Sequence, residues 1–462
     1  MNIAEFLLPG MNNWSALLLL LVAYLPFQAA LNLAPDIDLL SGRVLILGLF
    51  GVWLVKEICH KLRNAHLSSS RPTPTVSPSR VREGEKKRGW GDGLKENHIL
   101  WALILFFILS AVSIVVAANP VWGLRKSLFL ASIFPLVWLV STLIKNEKDL
   151  RRLIVVIIGG ATVSALIALA QFGAQFVFGR EAVMGFWAVK ITPLFSGASF
   201  GALVAANPSW LVVINGQAVM RAIGLFPDPH MLAFYLGLTL PFALALLFFE
   251  KKRRFLWLII SGLLLIVLLF TFSRGGYLGL GAALAVFFML GWRYFSQPAK
   301  KFLAASLVAV IFILLLVGWP VLARLASSFN LAEGSNLGRL AVWQDSWEII
   351  KKNSIVGVGL GNYPAAIDFS GAYRSAITSH NLYLDIWAET GLLGLLAWLA
   401  LIFTAAKETY KARQQNPIVA LGVLSSLAYF SSHSFFETAI FNPTVLAFLM
   451  IVLGLSAAGG ED

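Results

Sequence analysis

Apolar stretches of about 17–25 residues recur along nearly the whole chain, and short polar or charged segments separate them. Each stretch is long enough to cross a bilayer as a helix. None shows the sustained two-residue alternation of a membrane β-strand. The pattern predicts twelve spans, near residues 15–33, 42–58, 98–117, 125–144, 153–177, 228–249, 255–272, 275–292, 302–320, 381–406, 417–433 and 439–457. The fold class that follows is an all-α, polytopic integral membrane protein with about twelve transmembrane helices.

The separating segments alternate in character. Residues 59–97, 145–152, 251–254, 293–301 and 407–413 together hold 23 of the chain's 36 lysines and arginines. The positive-inside rule places them in the cytoplasm. Both termini then come out cytoplasmic, and no span has to be skipped. The first two spans occupy 1–65. Residues 66–97, rich in Ser, Pro and charge, read as a disordered basic cytoplasmic loop. A polybasic contact with anionic lipid would also suit this loop, but a solvated linker is the simpler reading. Spans three to nine occupy 98–320, interrupted by an outer loop at 178–227. A large extracytoplasmic loop fills 321–380, and the last three spans fill 381–462. Within the large loop Leu340, Trp343, Trp347 and Ile350 recur at helical spacing. They predict an amphipathic helix over 338–352, on or near the outer membrane face. Loops this long on a compact bundle are more often functional than mere connectors.

Composition changes the picture in three places. At 58% hydrophobic, a chain of 462 residues has more apolar surface than a soluble fold covers. The net charge of +13 would suggest nucleic acid in a soluble protein, but here it belongs to alternate loops. A single cysteine, Cys59, excludes an internal disulfide and a cysteine-clustered metal site. The first apolar run lacks a basic leader and a clear cleavage site, so it reads as a retained span.

The few charged and polar residues beside the spans carry the chemistry. "TFSRGGYLGL" (271–280) interrupts two apolar runs with Ser273, Arg274, Gly275 and Gly276. An arginine in a span centre costs about 2.5–3.5 kcal/mol, and less near the interface, where it snorkels. Arg274 is therefore either an interfacial anchor or a ligand for an anion. The two glycines, which permit a sharp turn and close approach, favour the second. The planar guanidinium fork suits a phosphate. Arg221, just before the sixth span, falls on the same outer side and is either a second anion ligand or a surface arginine. His380, at the start of the tenth span, also falls outside. Imidazole titrates near neutrality and would serve as a base, although a lone histidine at a helix start is commonly a polar cap. Asp385 and Glu389 lie on the following turns, Asp385 to orient neighbours and Glu389 more in keeping with a helix–helix hydrogen bond. His230, in "PDPH" (227–230), would share the site or cap its helix, and the cap is favoured. Asp36 and Asp38 would suit a divalent metal beside a lipid phosphate, but two acids in a short loop are common. "GVGLGNYP" (357–364) follows no strand and opens no clear helix, so it reads as a turn and not a nucleotide site. Together, Arg221, Arg274 and His380 describe a transferase whose donor carries a phosphate leaving group.

"FSRGGYLG", the R-x-x-x-W of Arg339 and Trp343, "GVGLGNY" and "SHNLYLDIWAETGLLG" resemble the O-antigen ligase and polymerase superfamily of bacterial membrane proteins, over roughly residues 220–410. The resemblance implies a C-type glycosyltransferase-like architecture with a long helical extracytoplasmic loop. It implies an inverting enzyme that uses no metal, nucleotide or other cofactor. Such an enzyme moves a glycan from undecaprenyl pyrophosphate to an acceptor hydroxyl on the outer face of the bacterial inner membrane. The partners implied are the lipid-linked donor, a glycan or lipid-linked acceptor and membrane lipid, with no nucleic acid. By position, Arg274 and, more loosely, Arg221 match the pyrophosphate-binding arginines, and His380 matches the catalytic base. Arg339, Asn381, Tyr383 and Glu389 fall in the shared motifs as supporting residues. The motifs do not separate ligase from polymerase or from a protein-glycosylating relative. Some sequences described as bicarbonate transporters share them, so a transporter of a small anion is the alternative that the resemblance leaves open. A transporter would place its charges near the bilayer midplane, whereas these cluster at the outer edge.

Overall fold

The computed structural model describes residues 11–34, 37–69, 97–199, 208–214, 216–298, 300–301, 334–368 and 377–458. In chain order the first elements are α1 (Asn13–Tyr24), β1 (Ala30–Ala34), β2 (Ile37–Leu40), α2 (Ser41–Ser69), α3 (His98–Val112), α4 (Pro120–Ala131), α5 (Pro135–Leu143) and α6 (Glu147–Phe178). The connection that follows holds α7 (Arg180–Phe186), α8 (Thr192–Ser196), β3 (Leu211–Ile214) and β4 (Gln217–Met220). The remaining elements are α9 (Pro229–Phe249), α10 (Arg254–Phe270), α11 (Arg274–Gly291), α12 (Gly334–Lys352), α13 (Tyr363–Ile367), α14 (Leu382–Lys411), α15 (Pro417–His433) and α16 (Pro443–Ala458).

Polar caps start these helices where the apolar runs begin. The side chains of Asn12, Asn97 and Asn146 accept first-turn N–H groups of α1, α3 and α6. α4, α9, α15 and α16 each start at an Asn–Pro or Asp–Pro pair, with Asn119, Asp228, Asn416 and Asn442 accepting the first-turn N–H. The side chain satisfies an orphan donor, and the proline supplies a helical φ where no N–H is needed. Helices stand at every expected span except the ninth, 302–320, which lies outside the described residues. Among the described residues, seven helical stretches are long and apolar enough to cross a membrane, and three shorter apolar helices accompany them. The protein is a polytopic all-α membrane bundle, as the hydrophobic pattern predicts.

The structure departs from the pattern at several ends. The first expected span stops at Tyr24, with a single 3₁₀ turn at Leu25–Phe27. Pro26 stands in that turn, and Gln28 is buried on the Thr444 hydroxyl at 2.7 Å. β1 and β2 then pair antiparallel, Ala30 opposite Leu40. A second antiparallel pair, Leu211 opposite Met220, lies in the connection between α6 and α9. The fourth span is two helices, α4 and α5, the second starting at Pro135, whose missing N–H interrupts the helical ladder. α2 continues to Ser69, past its expected end at 58, and the disordered loop expected over 66–97 otherwise falls at 70–96, outside the described residues.

α9 is buried along nearly its whole length, with α6, α10, α11, α15 and α16 packed around it. Small residues set the approach, as they do where membrane helices pack closely. A Cβ at Gly237 on α9 would lie 1.9 Å from Tyr429 Cζ on α15, and one at Gly276 on α11 would lie 3.2 Å from the Tyr429 hydroxyl. That hydroxyl donates to the Ala233 carbonyl at 2.7 Å. α15 is thereby clamped against both α9 and α11, and its C-terminal end lies beside the N-terminal ends of the other two.

α14 is kinked at Gly391, whose φ is 70° and ψ is −177°. The carbonyls of Ala388 and Glu389 accept from Val358 N at 2.8 Å and Gly359 N at 2.9 Å, and Leu392 N donates to the Ser354 carbonyl at 2.8 Å. "GVGLGNY" is thus a turn seated in the kink, as expected. A side chain at Gly391 would meet the Ile355 carbonyl oxygen at 1.9 Å, in a backbone region that only glycine adopts readily. Gly391→Ala is expected to destabilise the fold by about 3 kcal/mol or more, seen as an apparent Tm in detergent lower by about 5 °C or more.

The amphipathic helix expected over 338–352 is α12. Its apolar stripe does not all face one medium. Ile350 packs with Tyr363 and Ala388 against α14, and the Trp347 ring meets Trp387 edge-on at 5.6 Å. Leu340 and Trp347 remain more than a third exposed.

Candidate active site

α9, α11 and α14 begin, and α10 and α15 end, at one end of the bundle. The α10–α11 turn is built by Phe272, Ser273 and Arg274. Phe272 is buried with φ 48°, a left-handed conformation that a bulky residue rarely takes. Such strain persists only where surrounding contacts hold it. Ser273 then caps α11, its Oγ accepting from Gly276 N at 3.2 Å. Arg274 is the first residue of α11 and is only 4% exposed, so it is not a snorkelling anchor on the surface.

Arg221 follows β4 directly and is buried too. Its Nε donates to the Thr271 carbonyl at 2.6 Å and its Nη1 to the Ser209 carbonyl at 2.8 Å. The surface-loop alternative for this arginine is therefore excluded. Part of its fork ties the connection between α6 and α9 to the turn that carries Arg274.

Ser273 Oγ is also a hub between two histidines. His230 Nδ1 lies 2.9 Å from it and His433 Nε2 lies 3.2 Å from it. His433 is fully buried, with its ring stacked on Phe234 at 3.7 Å. His230 is not the cap of α9. The Asp228 carboxylate holds that place, accepting from His230 N at 2.8 Å and Met231 N at 3.0 Å, which frees the imidazole to reach across to Ser273. Burial, then the charge of Glu437, pushes the Asp228 carboxyl up to about 6 against the pull of those hydrogen bonds and of Arg221.

His380 precedes α14 with φ 51°; it and Phe272 are the non-glycine residues with positive φ among the described residues. Asn381 caps the helix, accepting from Tyr383 N at 3.0 Å. Ser379 N donates to Asp385 Oδ1 at 2.9 Å, and Trp343 Nε1 of α12 donates to the Ser379 carbonyl at 2.9 Å. The strained residue is thus held from both sides. Asp385 orients its neighbours, as expected, and its other oxygen accepts from the Thr438 hydroxyl. His380 Nδ1 faces the Glu437 carboxylate at 3.1 Å and 3.2 Å. Glu437's charge and hydrogen bond raise the imidazole's pKa, against burial and the charge of Arg339. Burial alone would raise Glu437, but the charges of His380, His230 and Arg339 and the hydrogen bond outweigh it and hold the carboxyl far below its usual range.

The remaining sequence candidates divide into two groups. Tyr383 donates from its hydroxyl to the Ser431 carbonyl at 2.8 Å, fastening α14 to α15. Glu389 is buried in an ion pair with Lys126 of α4, both oxygens at 2.8 Å, and the ammonium also lies 3.4 Å from the Phe441 ring centre. It holds the helices together, which is the reading favoured for it. Arg339, on α12, bears on His380 and Glu437 through its charge, which lowers the pKa of both. Asp38 stands in β2 against Gly197, and Asp36 lies outside the described residues. Among the described residues, no three His, Cys, Asp or Glu side chains come together as a metal-holding group.

Sequence reasoning missed Glu437, His433 and the hub role of Ser273. "SSHSFFET" (431–438) joins the last two spans, and the alternation that places His380 outside places this connection outside as well. A glutamate in so short a connection, with a histidine ending the helix before it, was the available signal.

Residues 259–399 match a family model described as O-antigen ligase. Over 200 residues the chain is 26% identical to the exopolysaccharide production protein ExoQ of Rhizobium meliloti (strain 1021), covering 40% of this chain and 45% of that protein. The match thus spans less than half the length of that curated relative. The resemblance seen in the motifs is borne out over the matched region.

Proposed function

We infer that this chain is a glycosyltransferase of the O-antigen ligase or polysaccharide polymerase kind. It moves a glycan from a polyprenyl pyrophosphate, undecaprenyl pyrophosphate in bacteria, to an acceptor hydroxyl at the outer face of the inner membrane. The observation that carries this reading is the convergence of three distant segments, those of Arg221, Arg274 and His380, joined through a fourth at the end of α15. Arg221 is bonded to the turn bearing Ser273 and Arg274. Ser273 is bonded to His433 at the end of α15. The connection after His433 is bonded to His380 through Glu437 and to Leu382 N through the Ser434 carbonyl, at 2.9 Å.

The chemistry this arrangement performs is a single displacement. The acceptor oxygen attacks the anomeric carbon, and its proton passes to His380. The new C–O bond forms as the bond from the anomeric carbon to phosphate breaks, and the electron pair leaves with the diphosphate, inverting the centre. Negative charge grows on the departing diphosphate, where the guanidinium groups of Arg274 and Arg221 stabilise it. Both termini in the cytoplasm and the site on the outer face complete this reading, and they rest on the placement of the basic loops.

The surface-glycan profile of a deletion strain tests it. Collapse to single repeats identifies a polymerase. Long chains that stay on the carrier lipid and never reach their acceptor identify a ligase. An unchanged profile would overturn the transferase reading and direct attention to solute uptake.

A further inference from the structure

The end of α15 and the connection from it to α16 are four-fold fastened to the start of α14. Leu382 N donates to the Ser434 carbonyl at 2.9 Å, the Tyr383 hydroxyl to the Ser431 carbonyl at 2.8 Å, and the Thr438 hydroxyl to Asp385, while Glu437 receives His380. Its carboxylate is further fixed by Thr438 N, 3.2 Å from Oε1. Both partners of the His380–Glu437 contact are therefore preset by backbone and cap contacts, and only 12% of the glutamate side chain is exposed against 43% of the histidine's. Among the described residues, His380 Nε2 has no hydrogen-bond partner, so the two ring nitrogens are unequal: one is held, the other open.

We propose that Glu437 is the positioning residue of the transfer reaction, holding Nδ1–H of His380 so that the Nε2 lone pair meets the acceptor hydroxyl. This deepens the transferase reading and rests on it. A carboxylate on Nδ1 fixes the tautomer in which Nε2 is the base. When the acceptor proton moves to Nε2, the imidazolium forms beside a carboxylate already in place. The proton then leaves to solvent from the exposed edge of the ring, and the pair returns to its starting state. The groups facing His380 are Glu437 from the α15–α16 connection, Arg339 from α12 and Asp385 from α14. Of these, Glu437 has the largest effect on His380 and makes the direct contact.

The sign of the pH effect follows. The base is active when neutral, so the rate rises as pH passes upward through the raised pKa of His380. Removing the carboxylate's charge lowers that pKa and moves the acid limb to lower pH. The full-length protein, in vesicles with a polyprenyl-pyrophosphate-linked glycan, is compared with Glu437→Gln and Glu437→Asp over pH 5–9. Glu437→Gln is expected to lose about 10–100-fold in plateau rate, with its acid limb displaced to lower pH. Glu437→Asp is expected to recover part of the rate and return the limb toward the wild-type position. A slow Glu437→Gln enzyme with an unmoved acid limb would make the residue merely structural and overturn the proposal. So would a full-rate Glu437→Gln enzyme when His380→Asn is inactive, whereas an active His380→Asn enzyme would overturn the transferase chemistry itself.

Discussion

Replacing His380 by asparagine is expected to lower glycan transfer by roughly 10²–10⁴-fold while leaving the protein folded. Asparagine is chosen because His380 sits at φ 51°, a left-handed conformation that asparagine tolerates better than alanine does. The backbone contacts of Ser379 and Asn381, and with them the start of α14, should survive the change. What disappears is the titrating imidazole opposite Glu437. The check is the rate with a lipid-linked donor, beside the elution profile and apparent Tm of the same preparation. A folded variant at wild-type rate would remove His380 from the chemistry.

The second large effect belongs to Arg274. Arg274→Lys keeps the charge but removes the planar fork that meets two phosphate oxygens at once. Loss of one stabilising group at a developing anion lowers rates by roughly 10²–10³-fold, and a loss of that order is expected here. Inorganic pyrophosphate should inhibit the wild type and inhibit the variant at least about tenfold less well. Arg274 gives a cleaner test than Arg221. The Nε and Nη1 groups of Arg221 hold the Thr271 and Ser209 carbonyls, so its replacement would loosen the connection between α6 and α9 as well as the site. Unchanged turnover and inhibition in Arg274→Lys would return this arginine to a packing role.

Much of the fold was legible because membrane helices announce themselves locally. A run of apolar residues and an Asn–Pro or Asp–Pro start are both written in consecutive positions, and α4, α9, α15 and α16 all follow that rule. Arg221, Arg274 and His380 were legible because a charge or a histidine at a span end stands out against its neighbours. What the sequence did not disclose is pairing between distant segments. Ser273 and His433 are 160 positions apart, and His380 and Glu437 are 57 apart, so no local spacing joins them. His230 was assigned to capping because it stands beside the helix start, and only the geometry shows Asp228 taking both N–H groups. The Gly391 kink was likewise hidden. The E-x-G-x-x-G pattern marks the place, but the reason for the glycine is the Ile355 carbonyl pressed against it from another segment.

The central claim is that one polar cluster, assembled from the ends of α9, α10, α11, α14 and α15, performs diphosphate-leaving glycan transfer. Its most direct test is the release of polyprenyl pyrophosphate from a purified lipid-linked glycan by the purified protein in vesicles, measured together with growth of the acceptor product. The wild type is predicted to release one diphosphate lipid for each glycan transferred, with His380→Asn and Arg274→Lys both folded and both deficient. Folded wild-type protein that releases no diphosphate lipid with its donor and acceptor supplied, or variants that release it at the wild-type rate, would contradict the claim.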